Sequence, residues 1–510
     1  MKKLRLILGD QLNSEHSWFQ KSDENTIYLM AEMRQETDYV KHHIQKVVAF
    51  FLSMRNFSES LKKTNNIVEY FTISDTDNLH DLEKIINFAV QKHQITKFEY
   101  QLPDEFRLDA QLQNICKNLK IESEVFDTEH FFTSRYELKD FYEGKKLYLM
   151  ENFYRMMRKK HHLLMDGSVP LGNQWNFDHD NRKKYTGQVA IPKEKSFNIN
   201  VSNIVQEIKN NGIITFGNIN KNDFSWPTSR QECLEVLDYF CKNLLKHFGD
   251  YEDAMHTDEK FLFHSRLSFA MNSKMLSPKE ILETVINFYH KNETDITLSQ
   301  VEGFVRQILG WREYIRGIYW KEMPNYAQMN KLENHNKLPD FFWTGKTKMN
   351  CMSLAINQSL DEAYAHHIQR LMVIGNFALL TQIHPDEVDA WYLGVYIDAI
   401  EWVEMPNTRG MSQFADGGII ATKPYVSSGS YINKMSNNCA KCHYNVKEKF
   451  GDKACPFNTL YWNFLDEKKH YFKGNNRMAM MMNLLNKMQP EELYKIKVKA
   501  NEIIENLDGY

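Results

Sequence analysis

The sequence predicts a two-part fold: a doubly wound, parallel α/β sheet over residues 1–130, and a large all-α region from 232 to 510. Three observations carry this. Short apolar runs alternate with helix-length amphipathic stretches at the start of the chain. From about residue 232 helical patterns follow one another with no convincing strand. The length of 510 residues fits two or three domains.

The predicted strands are 4–8 (LRLIL), 27–30 (IYLM), 67–72 (IVEYFT), 98–101 (FEYQ) and 122–126 (ESEVF), with helices over 38–63, 78–93 and 104–119. A sheet of this kind takes ligands outside the carboxyl ends of its strands. Asp10 and Gln11 end the first strand, and Glu36 and Tyr39 open the helix after the second, so they are placed for a small polar ligand. No G-x-G-x-x-G turn follows a strand, which argues against a dinucleotide there. Residues 131–231 are predicted as an interdomain helix and a long connection. Their stretch 166–230 has little periodicity and is rich in Gly, Pro, Asn and charge.

A net charge of −3 provides no global field for a polyanion, so any nucleic-acid surface is local. The clusters Arg155/Arg158/Lys159/Lys160 and Arg182/Lys183/Lys184 are candidates, although short basic runs are also ordinary solvated faces. Asp10 interrupts the first apolar run too early for a signal peptide, and no stretch approaches the roughly 18 apolar residues of a membrane span. A soluble, cytoplasmic, monomeric protein without a membrane partner is expected.

Four of the seven cysteines form a pattern: Cys351, then Cys439-x-x-Cys442, then Cys455-Pro456. Such thiols can close a tetrahedral S4 site, for structural zinc or for an iron–sulfur cluster. A cysteine followed by proline occurs in ferredoxin-type cluster runs and favours iron and sulfur. The plainer alternative is four unrelated core thiols. Cys116, Cys233 and Cys241 lie in helical stretches, where a buried thiol is the default.

Polar groups interrupt four helical segments. HSRLS at 264–268 offers Ser265 and Ser268 at a helix start, suited to a phosphate or simply to an N-cap. In GWREYIR at 310–316, Trp311 and Arg312 make either a stacking surface beside a phosphate clamp or a core tryptophan and a surface ion pair. The apolar segment 363–380 carries His366, His367 and Arg370. Adjacent histidines on a helix diverge by about 100°, so one at most should face a given cavity. A buried arginine needs an anion, and Asp398 in segment 390–407 is a natural partner for Arg370. Glu404 lacks an obvious one and is therefore a candidate site residue.

Together these segments resemble the photolyase/cryptochrome superfamily, and specifically its bacterial iron–sulfur branch, the prokaryotic (6-4) photolyases or deoxyribodipyrimidine photolyase-related proteins. LRLILGDQL is similar to that branch's opening, HSRLS to the superfamily's T-S-x-L-S, WREY to W-R-E-F, and HHIQR to H-H-x-x-R. The cysteine pattern resembles the iron–sulfur branch alone, and the likeness spans essentially the whole chain.

The resemblance implies a photolyase/cryptochrome fold with FAD in the all-α domain. It also implies a 6,7-dimethyl-8-ribityllumazine antenna in the sheet domain and a [4Fe–4S] cluster on Cys351, Cys439, Cys442 and Cys455. Ser265, Leu267, Ser268 and Arg312 would hold the FAD phosphates. Arg370 and Asp398 would pair against the flavin, with Glu404 beside its N5. His367, with His366 next to it, matches the acid–base histidine, and Tyr425 of KPYVSSGSY would face the lesion. Trp391, Trp343 and Tyr392 resemble a photoreduction chain, and Asp10, Glu36 and Tyr39 an antenna site. Arg182 and Trp311 match DNA contacts, and Asp178 a magnesium effect. The chain departs from the wider pattern at Leu371, where eukaryotic (6-4) enzymes have a second histidine, and at Phe269-Ala270-Met271 in place of Pro-Tyr-Leu.

The implied activity is light-driven repair of the (6-4) photoproduct in UV-damaged DNA, with His367 as proton donor to a flipped-out lesion. Two rivals remain at this level: a light receptor of the same fold that does not repair, and a non-catalytic iron–sulfur or zinc DNA-binding protein.

Overall fold

The computed structural model describes all residues from Met1 to Tyr510. Five parallel strands form the N-terminal sheet in the spatial order 67–71, 26–31, 3–6, 97–101, 122–126. Lys3 pairs with both Thr26 and Lys97, so the first strand is central. The order reverses beside that strand, and this opens a crevice at its carboxyl end. Both faces of a central parallel strand are covered, and Leu4, Leu6, Leu29 and Met30 are accordingly buried.

The helix expected over 38–63 divides in two. Arg34–Asp38 is a short helix and Ile44–Lys63 a long one, separated by the two-residue strand His42–His43. His43 starts the long helix: its Nδ1 accepts the Gln45 N–H (3.1 Å), and its Nε2 lies 2.8 Å from the Leu360 carbonyl. Both contacts require a neutral ring with the proton on Nε2.

The connection over 166–230 holds more structure than its composition suggests. Ser202–Asn210 is helical, with Ile204 and Ile208 buried, and Thr215–Phe216 pairs in parallel with His42–His43. That strand exists only because residues about 170 positions away supply its hydrogen-bond partners, which no local pattern reveals. A 65-residue apolar core runs from Ile7 through Trp226 to Ile420, across all three predicted segments. A second core of 44 residues lies in the C-terminal half, and 17 residues line one side of the sheet.

Local signals start the C-terminal helices. Ser229 and Glu232 form a capping box, and Ser277 caps a helix with Pro278 at its first position. Three π-helical stretches, Arg306–Arg312, Gln369–Gly375 and Pro406–Ser412, contain or follow predicted site residues. Such widened turns recur at functional sites because they displace a side chain from its regular helical position. No helix is long and apolar enough to cross a membrane.

Candidate functional site

The crevice at the sheet's carboxyl end is a cavity of ≈ 140 Å³ lined by Asp10, Glu36 and Tyr39, together with Lys46, Asp104 and Glu105. Lys274 reaches in from the helical region and donates to Asp10 (2.8 Å) and Asp104 (2.7 Å). Burial pushes the Asp10 carboxyl up, against the pull of Lys274. Arg107 clamps Glu36 at 3.0 and 2.7 Å and covers the Tyr39 ring at 4.4 Å. Burial raises Glu105 to about 8, and the nearby Glu401 adds to the rise. Lys46, missed by sequence reasoning, donates to the carbonyls of Leu393 and Ala399, and burial lowers it to about 8. Aliphatic walls with charged groups at one end suit a small heteroaromatic ligand.

In the helical half, Arg370 and Asp398 form a two-pronged ion pair of 2.9 and 3.2 Å. The Arg370 guanidinium also lies 3.8 Å from the centre of the Tyr396 ring. Asn272 links neighbouring segments: its Nδ2 donates to the Asp398 carbonyl (2.7 Å), and its Oδ1 lies 3.5 Å from Arg312 Nη2. Arg312 is a buried residue, not a surface ion pair; its Nε and Nη1 make no hydrogen bond, and Nη1 stands 3.7 Å from the buried Glu313 Oε1. Trp311 is half-buried against the main core, with its ring 6.1 Å from Tyr314. Glu404 is buried with Oε1 unpaired. Burial, reinforced by Asp389, holds its carboxyl well above the usual range.

Ser265 lines a cavity of ≈ 330 Å³ with His264, Arg266, Lys193, Lys195 and Lys260. Its hydroxyl accepts the Leu267 N–H at 3.4 Å, and the helix that follows, Ser268–Asn272, has only five residues. So short a helix contributes little dipole, and the basic side chains are partly engaged by carboxylates: Arg266 pairs with Glu194, Lys195 with Glu235 and Lys260 with Glu362. Leu267 is fully buried and serves as core. Arg370, Asp398 and Glu404 do not line this cavity.

His366 and His367 do not diverge as expected. The helix begins only at His367, which leaves His366 free of helical geometry. His366 stacks on His264 (ring centres 4.8 Å, planes 12° apart), and His367 meets both edge-on. His264 escaped notice because it lies 102 positions from His366. His367 is half-exposed, and its Nε2 lies 3.2 Å from Asp253 Oδ1. Arg182 pairs with Asp178 and stands 4.0 Å from Asp253 Oδ2, which brings it to the same face. Tyr425 shares that face: burial raises its phenol, and Asp178, Arg477, Arg182 and Asp253 all lie within electrostatic reach.

Trp391 is buried and touches Tyr392 (5.4 Å), Tyr396 (5.9 Å) and Phe342 (5.2 Å). Trp343, next to Phe342, is 38 % exposed. Aromatic contacts therefore run from the Arg370 pair through Tyr396 to Trp391 and Phe342, while the Trp343 ring packs on Phe216 at 5.0 Å; Tyr396 was not predicted.

The four patterned cysteines converge on one closed cavity, walled by Met349, Ile432, Tyr444 and Phe457. Burial and the neighbouring sulfurs push Cys351 up and raise Cys439 to about 11. Burial takes Cys455 to about 12, although the N–H groups of Asn458 and Phe457 point at its sulfur. Four thiols so placed suit a metal centre that would hold them as thiolates.

A family model described as "Deoxyribodipyrimidine photo-lyase-related protein" matches residues 5–224. Over 512 aligned residues the chain is 40 % identical to a "(6-4) photolyase" of Agrobacterium fabrum, with all of both chains covered. The chain belongs to the photolyase family. Its fold agrees with a bacterial class III photolyase from Agrobacterium tumefaciens (TM-score 0.59, 13 % identity, 100 % and 98 % of the two chains). A Synechocystis sp. PCC6803 cryptochrome also matches (TM-score 0.53, 14 % identity, 81 % and 82 % coverage). These structural likenesses bear on the fold alone. The α/β sheet followed by a helical region is thus the photolyase/cryptochrome architecture expected from the sequence.

Proposed function

We propose that this family member repairs (6-4) pyrimidine–pyrimidone photoproducts in UV-damaged DNA under light, as a lyase. Full-length identity of 40 % to a (6-4) photolyase supports the reaction. The observation that carries the site is the half-exposed His367, held by Asp253 on the face that also presents Arg182 and Tyr425.

Family membership implies FAD, and the residues fit it. Arg312 has two buried nitrogens and Glu404 a buried oxygen that make no hydrogen bond, and Ser265 opens on a cavity lined by Lys193, Lys195, Lys260 and Arg266 together with Glu194, Asp258 and Glu259. Ser265, Ser268 and Arg312 would take the diphosphate, the Arg370–Asp398 pair the flavin, and Glu404 a flavin nitrogen. When bound and reduced, this cofactor supplies the electron for repair. The protein's own part is to orient and to move a proton. The carboxylate of Asp253 fixes the His367 ring through Nε2, which leaves Nδ1–H to act as the acid when the ring is cationic. Arg182 would contact a backbone phosphate and Tyr425 the extruded base.

Asp10, Glu36 and Tyr39 would hold a lumazine-type antenna in the crevice. Cys351, Cys439, Cys442 and Cys455 would carry an iron–sulfur cluster that ties residue 351 to 439–455. Trp391, Tyr392 and Trp343 would pass electrons from the surface. Asp178 is already engaged by Arg182, so the arrangement does not fit a magnesium ion at that carboxylate.

The test is His367→Ala. Repair of a (6-4) oligonucleotide should fall by roughly 10²- to 10⁴-fold with flavin absorbance unchanged; undiminished repair would refute the proton-donor role.

A further inference from the structure

Asp253 sits in an irregular stretch, residues 252–257, that follows the helix Leu245–Tyr251. The helix fixes one end of this stretch. The other end is held by a distant segment, where the Met435 carbonyl accepts the Met255 N–H (3.0 Å) and Asn437 grips Thr257 at two points. Asn437 Oδ1 accepts the Thr257 N–H (2.9 Å), and its Nδ2 donates to Thr257 Oγ1 (3.0 Å). We propose that Asn437 is a positioning residue for repair: its clamp on Thr257 keeps the Asp253 carboxylate aligned on His367. This inference rests on the reading of His367 as proton donor.

A stretch without helix or sheet ladder has no regular lattice to fix it, so its place depends on tertiary hydrogen bonds of this kind. The support behind Asn437 is rigid. Ser436 is buried, and its Oγ donates to the Ile432 carbonyl (2.7 Å) and accepts the Asn438 N–H (3.2 Å). Asn350, beside Cys351, donates to the Asn438 carbonyl (2.8 Å), and Cys439 follows next in the chain. The clamp therefore passes the rigidity of the cysteine centre to the turn that carries Asp253.

The alignment has little slack. Asp253 Oδ1 lies 3.2 Å from His367 Nε2, at the long end of the hydrogen-bond range. A displacement of about half an ångström would break that contact. The second oxygen stands 4.0 Å from Arg182 Nε, too far to anchor the carboxylate by itself.

The test measures repair of a (6-4) oligonucleotide per absorbed photon, with full-length protein carrying its flavin and iron. Asn437→Ala and Thr257→Val are each made in wild type and in Asp253→Asn. Thr257→Val keeps the shape and the N–H and removes only the Oγ1 contact. In wild type, Asn437→Ala should lower repair by roughly three- to ten-fold and Thr257→Val by less, with iron and flavin absorbance unchanged. In Asp253→Asn both losses should vanish, because the clamp acts through that carboxylate. A general loss of stability would lower repair equally in the two backgrounds. Thr257→Ser retains the hydroxyl and should repair as wild type. Unchanged repair in both variants, or an equal loss in Asp253→Asn, would overturn the role. Should Asn437→Ala lose iron, Thr257→Val decides the comparison, since it lies far along the chain from the cysteines. Undiminished repair by His367→Ala would instead sink the proton-donor reading, so the two failures are distinguishable.

Discussion

His367 Nε2 lies 3.2 Å from Asp253 Oδ1, while the other oxygen of Asp253 stands 4.0 Å from Arg182 Nε. One carboxylate thus aligns the proposed proton donor and the proposed DNA contact. Asp253→Asn keeps a hydrogen-bond acceptor but removes the negative charge. Repair should fall by less than the roughly 10²- to 10⁴-fold loss expected of His367→Ala, with flavin absorbance intact. Repair rates under blue light check this, and an unchanged rate would show that the carboxylate does not serve His367.

Gly429 packs against the cysteine centre: a Cβ there would lie 2.8 Å from Cys455 Sγ. Gly429→Ala should cost about 1–3 kcal/mol through overpacking and lower the iron and sulfide recovered per chain. Cys442→Ser should have the larger effect, with a sharp loss of soluble protein. Full iron content in both variants would separate these residues from any cluster.

Trp391 connects Tyr396, beside Arg370, to Phe342, the chain neighbour of the exposed Trp343. Trp391→Phe preserves ring packing but removes the indole and its hydrogen bond to the Phe342 carbonyl (3.1 Å). Reduction of the bound flavin by light and an external thiol should slow, as followed by bleaching of its visible absorbance. An unchanged rate would place the electron route elsewhere.

His43 carries a pH dependence. Burial lowers its imidazole to about 4 from an ordinary 6.5. Between those values the unfolded chain binds the extra proton, so stability rises with pH in that window. The contribution is fully present above pH 6.5 and is lost as pH falls towards 4. At about 1.4 kcal/mol per pH unit, this residue alone makes the protein about 2 kcal/mol less stable at pH 5 than at pH 7. Melting temperatures across this range should drop on acidification, and the drop should be shallower in His43→Gln. His264, lowered to about 3, adds a second contribution of the same sign.

The parallel sheet was legible in the sequence because strand and helix periodicities are local, and five apolar runs separated by amphipathic helices leave few arrangements. The pairing of Arg370 with Asp398 was legible for a related reason: a cation in an apolar helix needs an anion, and few were on offer. The cysteines announced themselves by spacing. Other features required the folded chain. The Thr215–Phe216 strand depends on His42–His43, the Lys274 bridge to Asp10 joins the helical region to the sheet, and His264 meets His366 across 102 positions. Periodicity and motif spacing record what neighbours along the chain do, whereas these contacts arise from packing between distant segments, whose geometry no single stretch encodes.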